Sequence, residues 1–275
     1  VPPPAAPSAA RTVRGLPNAR DLGGLPTADG SATRTGLVLR SAAPLLPEHA
    51  AAVASLGVVR VVDLRGDAEV AKQPSAAPAR LVLRADVLAD APQDAAAALA
   101  PLAASLMSEG PVPPGAPGVA AISADLRGLM LDSYRDFARL PSARAAAAAS
   151  LRAVLHADGP VLLHCTAGKD RTGWIAALLL TIAGVPWSEV TTDYLASAAP
   201  VAELFAPLRT SLAGRGIDPA LLDPLLGVDA RWLDVARETA QQMHGTLEAY
   251  PTQGLGLSTE EVEALRVVLR AQRRA

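Results

Sequence analysis

Cysteine occurs once in these 275 residues, aromatic side chains make up 3% of them, and neither acidic nor basic residues gather into a long run. Each scarcity excludes something. A single thiol, Cys165, rules out any internal disulfide, so it is either a buried small hydrophobe or a reactive group. One Cys and four scattered His provide no zinc-ligand spacing. The 25 basic and 27 acidic residues leave a formal charge of -2, which points away from nucleic acid and anionic membranes as partners. The longest apolar run, from Trp174 to Val185, falls short of the ~20 residues a bilayer span requires and reads as a buried helix. What is abundant is apolar surface: at 50% apolar residues the chain can bury a sizeable core, and a soluble, globular protein is expected. The opening VPPPAAPSAAR has neither Met nor a charged-then-apolar signal pattern. Removal of an upstream segment is left open, as is the choice between cytosol and export.

No internal repeat is present. The Pro- and Ala-rich leader, residues 1–11, has little to bury and is expected to be disordered, which leaves residues 12–275 as one domain. Short apolar, β-branched runs follow at 36–40 (GLVLR), 58–64 (VVRVVDL), 81–85 (LVLRA) and 160–165 (PVLLHC), as strands covered on both faces show. Helical patterns lie between them, starting at Pro47, Ala121 and Ser142. This alternation predicts an α/β fold with a central, mostly parallel sheet flanked by helices. From about Arg171 the chain is expected to be helical, and Ser258 with Glu261 three residues later predicts a capping box at the last helix. Residues 91–118, with GPVPPGAPG at their end, are expected to form a mobile excursion.

The cysteine sits where a strand (PVLLHC) meets a tight turn (TAGKD) and a helix (RTGWIAALLLTIAG). Small residues entering a helix point successive N–H groups into one concavity, and the helix dipole adds about half a positive charge there. Thr166, Ala167, Gly168 and Lys169 therefore form a candidate anion cradle, with Cys165 at its edge as a stabilised thiolate. Arg171 can return its planar fork over the same concavity and hold two oxygens of a phosphate or another oxyanion. A phosphate monoester seated there presents phosphorus to the thiolate, and a phosphocysteine forms that water hydrolyses. Backbone dipoles and Arg171 neutralise the equatorial oxygens, so neither metal nor cofactor is expected. Thr172 can donate its hydroxyl to the departing sulfur. Other readings differ in their loops. A Walker-type site needs G-x-x-x-x-G before its Lys, which is missing here. A rhodanese-like sulfurtransferase has a shorter loop without the Arg-Thr-Gly ending. A phosphate-binding module without turnover keeps the same cradle, and only a trapped phosphocysteine separates it from the enzyme.

His164, Cys165, Gly168, Arg171, Thr172 and Gly173 complete H-C-x5-R-[ST]-G, which resembles the signature of the cysteine-dependent protein tyrosine phosphatases. LPNARDLGG (16–24), LVLRSA ending at Ala42, VVDLRGDAEV (61–70) and GVDARWLDVARETAQQMHGTLEAY (227–250) occur in an order similar to that of the bacterial atypical members. The resemblance runs from Arg14 to the end of the chain. It implies a tyrosine phosphatase-like fold and a general acid on an Asp just after the strand that follows D-L-R. Asp86 matches best, with Asp90 the register alternative, and there is no W-P-D tripeptide. It further implies that Asp170, inside the loop, positions the hydrolytic water or assists proton transfer, and that residues 201–226 form a helical lid, with an ordinary helical hairpin as the other reading. Lipid phosphatases of the superfamily carry lysines in this loop, where Lys169 stands. His164 is expected to hold the loop by hydrogen bonding. Asp63 with Arg65, and Arg20 with Asp21, are expected to form an ion-pair scaffold at strand ends. His49, His156 and His244 have no motif around them.

Few aromatics also bear on substrate. None lies between Leu64 and Leu131, whereas a deep phosphotyrosine slot usually has aromatic walls. With Lys169 beside Arg171, the expected substrates are phosphotyrosine proteins, with phosphoserine and phosphothreonine open, together with phosphoinositides.

Overall fold

The computed structural model describes residues 13–91 and 119–271. The leader and all but the first residue of the 91–118 excursion lie outside the described residues. In chain order the elements are β1 (Arg20–Asp21), β2 (Val38–Ser41), α1 (Pro47–Ser55), β3 (Arg60–Asp63), α2 (Asp67–Lys72), β4 (Val82–Arg84), α3 (Val119–Arg139), α4 (Pro141–Leu155), β5 (Val161–His164), α5 (Asp170–Ala183), α6 (Trp187–Leu195), α7 (Ala198–Gly214), α8 (Asp223–Leu226), α9 (Ala230–His244), α10 (Tyr250–Gln253) and α11 (Thr259–Leu269). The strands form one sheet in the order β1-β2-β5-β3-β4. Only β1 runs antiparallel to its neighbour. The fold is the expected α/β arrangement, with a mostly parallel sheet, flanking helices and a helical C-terminal half.

The four β-branched runs become β2, β3, β4 and β5; the last three are trimmed at both ends, and β2 starts two residues later and ends one residue later than its run. Their apolar residues reach both faces: Val61, Val62, Val161 and Leu163 are fully buried. One face is covered by α5, whose Trp174 packs on Tyr250 with ring centroids 5.9 Å apart. The poverty of aromatics is met by small side chains instead. In α4, Ala143, Ala146, Ala147 and Ala148 are all buried in the main core cluster. Alanine has no rotamer entropy to lose on burial and adds little bulk between packed elements. The predicted capping box closes the start of α11: Glu261 N–H donates to Ser258 Oγ (3.1 Å) and Ser258 N–H to Glu261 Oε2 (2.8 Å).

Two elements go beyond the sequence reading. β1 is two charged residues long, and α2 buries none of its six residues. Neither has a period to detect. Residues 201–226 fold as most of α7, a 3-10 turn at Pro219–Leu222, and α8. They join α3 through a small cluster of Leu126, Leu212, Leu222 and Leu226. Among the described residues no helix is long and apolar enough to cross a membrane.

β5 lies between β2 and β3, so His164 pairs with Ser41 on one side and Asp63 on the other. The chain leaving β5 therefore emerges at the carboxyl ends of three parallel strands. That crevice is where open α/β sheets bind ligands.

Candidate active site

Cys165 follows β5 directly and is buried at the base of the turn. The turn's carbonyls are all engaged on its outside. Thr166 O accepts from Ala43 N–H (3.1 Å), Ala167 O from Asn18 Nδ2 (2.8 Å), Gly168 O from Arg40 Nη2 (2.8 Å) and Lys169 O from Gly173 N–H (2.7 Å). In a planar trans peptide the next N–H points opposite to the carbonyl. The N–H groups of Ala167, Gly168, Lys169 and Asp170 thus face the inside of the turn, at the start of α5, where the helix dipole adds to them. Gly168 makes this path feasible: its φ is +67°, and a Cβ there would stand 2.2 Å from the Ser41 carbonyl oxygen.

Arg171 lies in the first turn of α5, largely buried. Its Nη1 and Nη2 donate to Glu69 Oε2 (2.5 Å) and Oε1 (2.8 Å). Thr166 Oγ1 and Gly66 N–H donate to the same carboxylate. Burial opposes the charge on Glu69, yet the bonds and charge of Arg171 pull its pKa down to about 2. Because Glu69 grips the end of the guanidinium, the lateral Nε edge is left for a second planar or tetrahedral anion. Thr172 is fully buried, and its Oγ1 has no hydrogen-bond partner among the described residues.

Beneath the turn lie more ionic groups. His164 Nδ1 is 3.1 Å from Cys165 O. A carbonyl only accepts, so the proton is on Nδ1. Burial lowers the His164 pKa to about 4, so the ring is neutral at neutral pH. Asp63 is gripped by Arg65, Nε to Oδ1 at 2.9 Å and Nη2 to Oδ2 at 2.8 Å, and both side chains are buried. Arg20 does not pair with Asp21. Its guanidinium reaches Asp193 of α6 (Nε to Oδ1, 2.8 Å), while Asp21 accepts backbone N–H groups of Gly23 and Gly36. Arg40 completes this cluster, with Nη1 2.7 Å from Asp193 Oδ2.

The remaining candidates divide by place. Asp170 Oδ1 accepts from the buried Tyr134 hydroxyl (2.7 Å), which in turn meets Tyr194 Oη at 2.6 Å. Lys169 is not solvent-facing. It is 1% exposed, and its Nζ donates to Leu225 O (2.7 Å) and Gly227 O (2.8 Å), with Asp170 Oδ2 at 3.4 Å. It therefore ties the turn to the end of α8. Asp86 is half-buried; its Oδ2 would stand 3.3 Å from a Cβ on Gly66, next to the helix that carries Glu69. Asp90 is exposed and bound to the N–H and hydroxyl of Ser142 at the start of α4. The turn, Arg171, Thr172, His164 and Asp170 come together; Asp90 lies apart from them on Ser142.

A profile of the tyrosine phosphatase family matches residues 11–271. The chain belongs to that family. It is 32% identical over 238 residues to a Cupriavidus necator protein bearing the name of a tyrosine-protein phosphatase, covering 86% of this chain and 80% of the relative. It is equally 32% identical, over 281 residues, to the triple specificity protein phosphatase PtpB of Mycobacterium tuberculosis, covering 95% of this chain and 99% of the relative. A tyrosine-protein phosphatase of Nostoc commune is 66% identical across a 41-residue stretch, 15% of this chain and 14% of the relative.

Several groups that shape this turn went unread in the sequence. Glu69 stands four residues after Arg65, a spacing that brings it back over the strand end once α2 forms. Asn18, with φ +50°, and Arg40 lie inside LPNARDLGG and LVLRSA, yet nothing local marks them as holders of the turn. Asp193, Tyr134 and Tyr194 reach the site from helices far along the chain, and only the packed fold brings them there.

Proposed function

We propose that this phosphatase hydrolyses phosphate monoesters through a phosphocysteine on Cys165. The observation carrying this reading is the turn itself: four carbonyls bound outside, four N–H groups inside, and Arg171 held end-on with a free edge. Such a cradle fits a tetrahedral dianion. In the first step Cys165 Sγ attacks phosphorus, the bond to the ester oxygen breaks, and Asp86 gives that oxygen its proton. In the second, water attacks phosphorus, a carboxylate takes its proton, and the S–P bond breaks to return the thiolate. Thr172, buried and with its hydroxyl unpartnered among the described residues, donates to the departing sulfur. Asp170, oriented by Tyr134, holds the attacking water. Chelators leave turnover unchanged and vanadate inhibits it; loss of activity in EDTA with rescue by a divalent ion overturns the mechanism.

Asp86→Asn is expected to flatten the basic limb of the pH profile, and to cost more with poor leaving groups than with nitrophenyl phosphate. Placement against Gly66 supports Asp86, and capture by Ser142 disfavours Asp90. Asp90→Asn showing this behaviour in its place shifts the acid by four residues, and neither showing it transfers the role to Asp170.

The substrates proposed are phosphotyrosine proteins, with phosphoserine and phosphothreonine as further possibilities, and phosphoinositides. The name of the Mycobacterium tuberculosis relative, a triple specificity phosphatase, supports more than one substrate class. A second phosphate engages Lys169 when the ammonium exchanges one carbonyl of the 225–227 segment for a phosphate oxygen. Residues 201–226 act in that reading as the lid. Lys169→Ala is then expected to lower kcat/KM for soluble phosphoinositides more than for a phosphotyrosine peptide. Equal losses assign Lys169 to holding α8 alone, and no lipid turnover in the wild type leaves a plain protein tyrosine phosphatase.

A further inference from the structure

Most ionic groups around the turn pair off among the described residues. Asp63 is matched by Arg65, and Arg84 bridges Asp63 and Asp67. Glu69 is matched by Arg171, and Asp170 by Lys169. His164 is neutral, and burial keeps the Tyr134 and Tyr194 phenols protonated. Two carboxylates have backbone partners instead: Asp86, on the α2 side, accepts Leu88 N–H, and the buried Asp21 accepts the N–H groups of Gly23 and Gly36. Behind the turn, however, Arg20 and Arg40 share the single carboxylate of Asp193. Two positive charges and one negative leave one positive charge, with Arg20, Arg40 and Asp193 exposed by only 4%, 0% and 5%.

An unmatched buried charge is costly, so a partner is required. Arg40 points to it. Its Nη2 donates to the carbonyls of Gly168 (2.8 Å) and Lys169 (3.3 Å), within the turn that Cys165 begins, and its buried Nε has no hydrogen-bond partner among the described residues. Burial lowers the Arg40 pKa to about 10, opposed by Asp193 and by Cys165, so the guanidinium remains charged at neutral pH.

We propose that Arg40 is a positioning residue whose unmatched positive charge is balanced by the Cys165 thiolate across the back of the turn. The fork thus has two roles: it fixes carbonyls outward, and it stabilises the nucleophile from the side opposite Arg171. This rests on Cys165 being the nucleophile. The charge role separates from a purely mechanical one because Arg40 and Asp193 carry opposite signs. Removing either disturbs the cluster, but only the charge role predicts opposite effects on the thiol.

Cys165 is the only thiol, so alkylation by iodoacetamide reports it alone. Its rate against pH is to be measured in wild type, Arg40→Gln, Arg40→Lys and Asp193→Asn, with near-ultraviolet circular dichroism checking the fold. The midpoint is expected to rise by about one pH unit in Arg40→Gln, to rise less in Arg40→Lys, and to fall in Asp193→Asn. Shifts in the same direction for Arg40→Gln and Asp193→Asn, or no shift in either, overturn the proposal. Should Arg40→Gln fail to fold, a midpoint in Asp193→Asn at or above the wild-type value overturns it by itself. Alkylation needs no turnover, so failure here is distinct from failure to form a phosphocysteine.

Discussion

Cys165→Ser is expected to lose turnover by on the order of 10⁴-fold or more while keeping its fold and its affinity for oxyanions. The cradle is built from main-chain N–H groups and Arg171, none of which the substitution touches. On the proposed mechanism, what disappears is the sulfur nucleophile. A serine hydroxyl stays protonated, and neither neutral His164 nor any carboxylate bonded elsewhere stands ready to deprotonate it. Replacing sulfur by oxygen at a buried position removes little volume, so packing alone should move the thermal midpoint by only a few degrees, and a larger fall reports the Arg40 charge left without the thiolate. The checks are kcat on an aryl phosphate, equilibrium binding of phosphate, and a thermal melt. Retained turnover would exclude Cys165 as nucleophile, and lost phosphate binding would mean that the cradle had collapsed.

Glu69→Ala should have the second largest effect, a fall in kcat/KM of about 10²-fold. Arg171 is largely buried, and Glu69 grips it by both terminal nitrogens. Without that grip only a long bond from Nη1 to Leu64 O (3.4 Å) remains to orient the guanidinium, and on the proposed mechanism its lateral edge is no longer fixed where the equatorial oxygens form. Glu69→Gln keeps one acceptor and should fall between. Arg171→Lys should lose more than either, since an ammonium cannot reproduce the fork. The pH dependence has a definite sign. The folded-state pKa of Glu69, about 2, is below its ordinary 4.5, so its contribution is complete above 4.5 and disappears as pH falls through about 2. An acid limb of activity near neutrality therefore belongs to another group. His164 acts in a neighbouring window: its pKa falls from 6.5 to about 4 on burial, so the unfolded chain takes up the proton first. Stability declines as pH drops from 6.5 toward 4. A wild-type-like rate in Glu69→Ala would show that Arg171 is held by other contacts.

What could be read from the sequence follows from the range of the forces involved. Strands β2, β3, β4 and β5 and helices α1, α3 and α4 declare themselves by period and residue type, and the capping box at Ser258 is a contact between residues three apart. The turn is equally local, because Cys165 through Gly173 need only each other to define a strand, a cradle and a helix start. What supports the turn is not local. Asn18 and Arg40 hold its carbonyls from 149 and 128 residues away in sequence, and Arg20 reaches Asp193 across 173. Charged residues inside an apolar pattern look like surface until their partners are placed. Lys169 shows the same limit: its position in the turn was legible, but its attachment to Leu225 and Gly227 depends on where α8 packs.

The most direct measurement is rapid acid quenching during turnover of an aryl phosphate, followed by mass spectrometry of the peptide containing Cys165. A phosphoryl group on that cysteine, formed within the first turnover and absent in Cys165→Ser, is the predicted result. Turnover at the wild-type rate with no phosphoryl group on Cys165 at any quench time, in a slow-hydrolysing Asp170→Asn variant as well, would contradict it.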